Sequence, residues 1–266
     1  MGLPCLLIEL SNKAIRLRKV RSGNSLNVIV INGFLSEKNT DITDWLNVLD
    51  WDFQSTTVHH YDWDACNSKK ILKTVGTGNL GLRSSISTTA MRITKTVSPY
   101  LTAGIVGTTA AVGFYEWRKA MKNAKLAGER LAKHIDKQEG RFILLGHSLG
   151  SRVIFHCLQS QQTRNKVMGA MLFGGAVGKE NSWGHILQKH SKINIFNCYS
   201  TNDLVLKTLY PVGTLKKDSP IGLSPISQGY QSRLHNVDMS NIVSGHMKYK
   251  TSEVGRLLGI HMASTR

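Results

Sequence analysis

The chain has 266 residues, 41% hydrophobic and 19% charged, which excludes a disordered or fibrous polypeptide and supplies enough apolar material for a continuous core. Lys and Arg number 34 against 17 Asp and Glu, a formal charge of +17, so the surface attracts anions such as nucleic acid, acidic protein or anionic lipid headgroups. Cys5, Cys66, Cys157 and Cys198 show neither CxxC nor Cys/His ligand spacing, so reduced buried thiols are expected rather than a disulfide framework or a zinc module.

The first residues lack a basic n-region, and Glu9 cuts their apolar run, so no secretory signal is expected. Leu6 also stands where a myristoylation site needs Ser or Thr. Apolar runs rich in β-branched residues at 26–31, 141–145, 167–173 and 193–198, with a weaker one at 56–61, predict strands buried on both faces. Helical patterns fall between and after them, at 41–49, about 115–138, 150–160, 183–190 and about 251–262. This alternation predicts an α/β architecture over 1–266, a mostly parallel central sheet flanked by helices.

Residues 74–114 interrupt the pattern with Gly, Ser, Thr and Ala. No charge occurs from Thr96 to Tyr115, the length of a membrane span, yet Pro99, Gly104, Gly107, Gly113 and several hydroxyls lower its hydrophobicity. The expected role of this Gly/Thr/Ala-rich insertion is a lid or a membrane-interface segment over a pocket.

The chemistry is concentrated where the strand pattern at 141–145 runs into Gly146-His147-Ser148-Leu149-Gly150 and then into a helical pattern. A Gly-x-Ser-x-Gly string in the context strand, turn, helix is a nucleophile elbow: side chains flanking so tight a turn clash, so both flanking positions are Gly146 and Gly150. Ser148 is the candidate nucleophile, and the Leu149 N–H, at a helix N-terminus, is a candidate oxyanion donor. The second donor belongs on a loop after an early strand, where Ile31-Asn32-Gly33-Phe34 offers the Phe34 N–H; Gly33 making only a turn is the alternative.

A serine nucleophile in this architecture takes an acid and then a histidine from later loops. Asp203, just past the run at 193–198, is the candidate acid, with Asp238 as its rival. His246, in Val243-Ser-Gly-His, is the candidate base, with His235 and His261 as rivals and His147 expected to line the cleft. The stretch Asn236-Val237-Asp238 reads as a loop or short strand. The run His59-His60-Tyr61-Asp62-Trp63-Asp64 has metal-ligand residue types, but strand alternation splits them between faces, so no metal site is expected. Arg118, Lys119, Lys122, Lys125, Arg130 and Lys133 fit a solvated or headgroup-facing helix surface, because no nucleic-acid-binding module accompanies them.

Four separated blocks occur in order: Ile31-Asn-Gly-Phe-Leu35 with Asp44-Trp45; Gly146-His-Ser-Leu-Gly150-Ser-Arg-Val-Ile-Phe; Phe196-Asn-Cys-Tyr-Ser-Thr-Asn-Asp203; and Asn236-Val-Asp238 with Val243-Ser-Gly-His246. Over roughly residues 26–250 the chain resembles the α/β-hydrolase branch typified by eukaryotic transmembrane and coiled-coil domain proteins. That resemblance implies an α/β-hydrolase fold, a triad of Ser148, Asp203 and His246, and a membrane-linked setting in which a hydrophobic insertion precedes the elbow. Within these 266 residues no clearly spanning, Leu-rich insertion and no long coiled-coil segment is expected, which departs from the larger relatives.

Together these observations predict a serine hydrolase acting on a carboxylic ester with neither metal nor organic cofactor. The +17 charge and the insertion point to a lipid or phospholipid substrate met at an anionic membrane surface, with a cytoplasmic or peripheral membrane location. Non-classical export as an antibacterial lipase effector is also compatible with a basic chain without a signal. The alternative from another class is a non-catalytic membrane-binding or scaffolding protein on a hydrolase fold. Nucleic-acid binding ranks third.

Overall fold

The computed structural model describes residues 14–34, 36, 41–66, 106–214, 218–227 and 232–264. Seven strands form one sheet: β1 (Arg16–Arg21), β2 (Asn24–Ile31), β3 (Thr56–Asp62), β4 (Arg141–His147), β5 (Val167–Phe173), β6 (Asn194–Tyr199) and β7 (Leu234–Asp238), in the order β1-β3-β2-β4-β5-β6-β7. All neighbours are parallel except β1, which runs antiparallel to β3 at the edge.

The central strands are predominantly apolar because both faces are covered. Alternation sends Ile29, Ile31 and Leu144 into one core and Val28, Val30 and Leu145 into the other. The first core is closed by α2 (Val106–Lys137), α3 (Leu149–Ser160), α4 (Trp183–Lys189) and α5 (Leu204–Gly213); the second by α1 (Thr43–Leu49) and α6 (Ser252–Ala263). Each fully buried Leu, Ile or Val contributes roughly 1.5–3 kcal/mol, and Trp45, Trp183, Leu131 and Ile135 are all fully buried. On α2, Ala120, Ala124, Ala127 and Leu131 make a buried stripe at helical spacing.

Sequence and structure agree on the five expected strands within a residue or two. Among the described strands and α-helices, three lie outside the predicted pattern: β1, α5 and the full extent of β7, where the stretch 236–238 proves to be strand. Helix α2 begins at Val106, not near 115, so the last residues of the predicted insertion 74–114 are helical backbone, and its remainder, through residue 105, lies outside the described residues. Among the described residues no helix is long and apolar enough to cross a membrane. Cys66, Cys157 and Cys198 are buried thiols outside any disulfide, while Cys5 lies outside the described residues.

Crossover from β2 goes to β3 on one side and the chain then returns past β2 to β4 on the other. The C-terminal ends of β2 and β4 therefore flank the point where strand order reverses, which is where ligand crevices of open α/β sheets form.

Candidate active site

Ser148 stands between β4 and α3 with φ 58° and ψ −119°, a conformation that costs an L-residue about 1–3 kcal/mol and persists only where the surroundings impose it. They do so here. The Ser148 N–H donates to Phe173 O at 3.0 Å, and Ser148 O accepts from Ala176 N at 3.0 Å and Ser151 N at 3.1 Å. The flanking glycines are required by contact: a β-carbon on Gly146 would lie 2.7 Å from Gly150 C and Ser151 N, and one on Gly150 only 2.2 Å from Ile31 O. The turn projects Ser148 above the sheet and places Leu149 as the first residue of α3, the end of a helix that favours negative charge.

Asp203 follows β6 and is fully buried. Its Oδ1 accepts from Leu206 N at 3.0 Å, capping α5, and its Oδ2 accepts from His246 Nδ1 at 2.6 Å. That bond puts the proton on Nδ1 and leaves Nε2 as the basic nitrogen. The two loops are stitched to each other: Ser200 Oγ donates to Val243 O at 2.7 Å and Asn202 Nδ2 to Ser240 O at 2.7 Å. Ser148 Oγ and His246 make no hydrogen bond to each other among the described residues; such links are often long without substrate.

Asp238 is exposed and is occupied elsewhere, accepting from Ser240 N at 2.9 Å and from Ser240 Oγ. Those bonds hold its carboxyl below the usual range. Of the two candidate acids the structure therefore brings Asp203, not Asp238, to His246. His235 stacks on Phe196 with ring centroids 4.7 Å apart, and His261 lies on α6. His147 is buried beside the candidate base: its ring lies 4.7 Å from that of His246, and its Nε2 donates to His246 O at 2.7 Å. Burial, then the neighbouring His246 and Lys250, push His147 well below its ordinary value, so it stays neutral.

The loop after β2 touches the elbow directly. A β-carbon on Gly33 would lie 2.7 Å from Ser148 Cβ, so Gly33 does more than turn the chain: its missing side chain lets the loop close on the serine. Phe34, the next residue, packs against the core. Neither the Phe34 N–H nor the Leu149 N–H donates to a carbonyl among the described residues. Three residues that no local pattern marks as functional, Asn32, Trp63 and Lys250, also meet here. Asn32 Oδ1 accepts from Trp45 Nε1 at 2.7 Å and Lys250 Nζ at 3.1 Å, and Asn32 O accepts from Trp63 Nε1 at 2.8 Å.

Within the His59–Asp64 run, neighbours on β3 face opposite ways: His60 is buried against Asn32 Nδ2 at 3.4 Å, whereas Tyr61 packs in the first core and donates to Ala127 O at 3.1 Å. Asp64, beyond the strand, is paired with Arg16 at 3.1 Å. Among the described residues no group of three or more His, Cys, Asp or Glu is placed to hold a metal. On α2, Arg118, Lys119, Lys122, Lys125 and Lys133 are solvent-exposed, whereas Arg130 is half-buried and 3.6 Å from Asp64.

A mostly parallel sheet with helices on both faces, and a serine on a strained strand-to-helix elbow at its C-terminal edge, define the α/β-hydrolase fold. The chain belongs to the family described as "Protein of unknown function (DUF726)", whose model matches residues 13–261. It is similar to an "uncharacterized membrane protein" of Caenorhabditis elegans, 31% identical over 155 residues, 54% of this chain and 25% of that protein. It is likewise similar to a transmembrane and coiled-coil domain-containing protein of Oryza sativa subsp. japonica, 32% identical over 149 residues, 53% of this chain and 22% of that protein. The matches span about a quarter of these curated relatives. Among solved structures, TT1662 from Thermus thermophilus superposes with a TM-score of 0.49 at 12% identity, covering 95% of this chain and 98% of that one. Alpha/beta hydrolase domain-containing protein 10 from mouse superposes at 0.43 and 13% identity, covering 95% and 94%.

Proposed function

We propose that the chain is a serine hydrolase cleaving a carboxylic ester, with Ser148 as nucleophile, His246 as general base and acid, and Asp203 as the carboxylate that orients and charge-balances the imidazole. The observation that carries this reading is the buried 2.6 Å bond from His246 Nδ1 to Asp203 Oδ2, together with a serine held at φ 58° directly after His147, whose ring lies 4.7 Å from that of His246. In the first half-reaction Ser148 Oγ attacks the ester carbonyl while His246 Nε2 takes the hydroxyl proton. The carbonyl oxygen becomes an oxyanion facing the N–H groups of Leu149 and Phe34. His246 then passes its proton to the departing alkoxide, leaving an acyl-serine. Water, deprotonated by His246, attacks that acyl group, and return of the proton to Ser148 Oγ releases the acid. No step requires a cofactor.

The substrate class we favour is a lipid ester, and the support is physical rather than geometric. A formal charge of +17 draws the protein to anionic bilayers, with each basic residue near the surface contributing about 1 kcal/mol. Leu204 and Met247, next to Asp203 and His246 in sequence, are exposed apolar side chains, 54% and 65% accessible. The test is hydrolysis of short- and long-chain p-nitrophenyl esters and of anionic phospholipid vesicles by the wild type and Ser148→Ala. Turnover that vanishes in the variant supports the hydrolase, and preference for vesicles supports the lipid substrate. A folded wild type inert toward every ester contradicts the reading and favours a scaffolding role.

A further inference from the structure

Lys250 ties together two loops that lie 218 residues apart in the chain. Its side chain is only 10% exposed, and an ammonium so far out of water is costly unless several partners take it up. Among the described residues it has three: it forms an ion pair with Asp44 Oδ2, it donates to Asn32 Oδ1 at 3.1 Å, and its Nζ lies 5.3 Å from the centre of the Trp45 ring.

Both ends of the Lys250–Asn32 bond adjoin the proposed catalytic groups. Asn32 is buried and held through both its side-chain and main-chain oxygens, by Trp45, Lys250 and Trp63. The next residue, Gly33, lies against Ser148, and the one after, Phe34, carries the proposed oxyanion donor. On the other side, Lys250 follows the turn His246–Lys248 and the fully buried Tyr249, whose ring lies 5.8 Å from that of His147. One ammonium thus bridges the loop bearing the base and the loop facing the nucleophile. An apolar side chain would fill the same space without a directional bond to Asn32.

We infer that Lys250 is a positioning residue: through Asn32 it fixes the Gly33–Phe34 backbone at the distance from Ser148 that an oxyanion donor needs. This rests on the serine-hydrolase reading. Misplacing a donor by a fraction of an ångström weakens the transition state far more than the bound ester, so the loss falls on kcat.

The test compares the full-length wild type with Lys250→Met and Lys250→Arg on p-nitrophenyl butyrate, with active sites titrated by a fluorophosphonate. A trifluoromethyl ketone, which adds to the serine and needs the oxyanion donors, gives the second readout. Lys250→Met is expected to lower kcat per titrated site about 10- to 100-fold with KM little changed, and to weaken the ketone by the same factor. Lys250→Arg, which keeps charge and donors, recovers most of the loss. A merely structural lysine would lower the number of titrated sites or the melting temperature without changing kcat per site. If Lys250→Met does not fold, Lys250→Gln, neutral and shorter, is read by the same two measures with the same direction expected. Wild-type kcat and ketone affinity in either folded neutral variant overturn the inference. A wild type that neither labels nor turns over ester is a different result: it removes the hydrolase reading, and this inference with it.

Discussion

Gly33 lies against Ser148 so closely that a β-carbon at position 33 would stand 2.7 Å from Ser148 Cβ, 2.9 Å from His147 O and 3.2 Å from Ser148 Oγ. All three atoms belong to the elbow that strain and hydrogen bonds already fix, so the loop after β2 has to move instead. Gly33→Ala is expected to fold with a loss of about 1–3 kcal/mol and to lower kcat by at least tenfold. Urea unfolding with ester kinetics on the same preparation checks both halves.

Asp203 follows β6 and Asp238 ends β7 in the same sheet, and only one reaches an imidazole. Asp203→Asn leaves His246 in the wrong tautomer, with Nδ1 facing an amide, and should cost about 10³–10⁴ in kcat. Asp238→Asn weakens a turn at Ser240 and should leave kcat within about threefold. Equal effects of the two substitutions would remove Asp203 from the assignment.

His147 donates from Nε2 to the main-chain oxygen of His246 at 2.7 Å. His147→Phe keeps a ring against His246 but leaves that carbonyl without its donor, at a cost of about 1–3 kcal/mol. A lowered denaturation midpoint together with a several-fold drop in kcat is the expected outcome, since the carbonyl belongs to the residue that carries the base.

Acid should destabilise the fold through buried imidazoles. His60, His147, His156 and His190 are all pushed below their ordinary value, burial being the largest cause for each. For His156, burial and then the Arg152 guanidinium bring the value down to about 4. The unfolded chain then binds more protons than the native one between about pH 6.5 and 4, so stability is full above 6.5 and falls as pH drops through that window. The His156 share is roughly 3 kcal/mol. His156→Gln should flatten the decline of the urea midpoint between pH 6.5 and 4, and an unchanged slope would exclude His156 as a contributor.

Local sequence carried the elbow, because a buried strand, a Gly-x-Ser-x-Gly turn and an amphipathic helix are each encoded within a few residues of one another. It also carried the central parallel strands, whose two-sided burial leaves long apolar runs such as Val28–Ile31 and Val167–Phe173. Edge strand β1, Arg16-Leu-Arg-Lys-Val-Arg21, was hidden by its charge, since an edge strand half open to water needs few apolar residues. Pro211 inside Leu204–Gly213 disguised α5, and the Gly- and Thr-rich sequence from Val106 disguised the first turns of α2. The choice between Asp203 and Asp238 depends on which loop turns toward His246, and the Lys250–Asn32 bond joins residues from opposite ends of the chain. Neither has a local signature.

The central claim is that Ser148 is a nucleophile, and the most direct measurement is mapping a fluorophosphonate adduct on the folded full-length protein by peptide mass spectrometry. One adduct is expected, on Ser148, absent after brief denaturation and in Ser148→Ala, and slowed about 10³-fold or more in His246→Ala. A folded protein that forms no adduct, or an adduct on another residue that persists in Ser148→Ala, would contradict it.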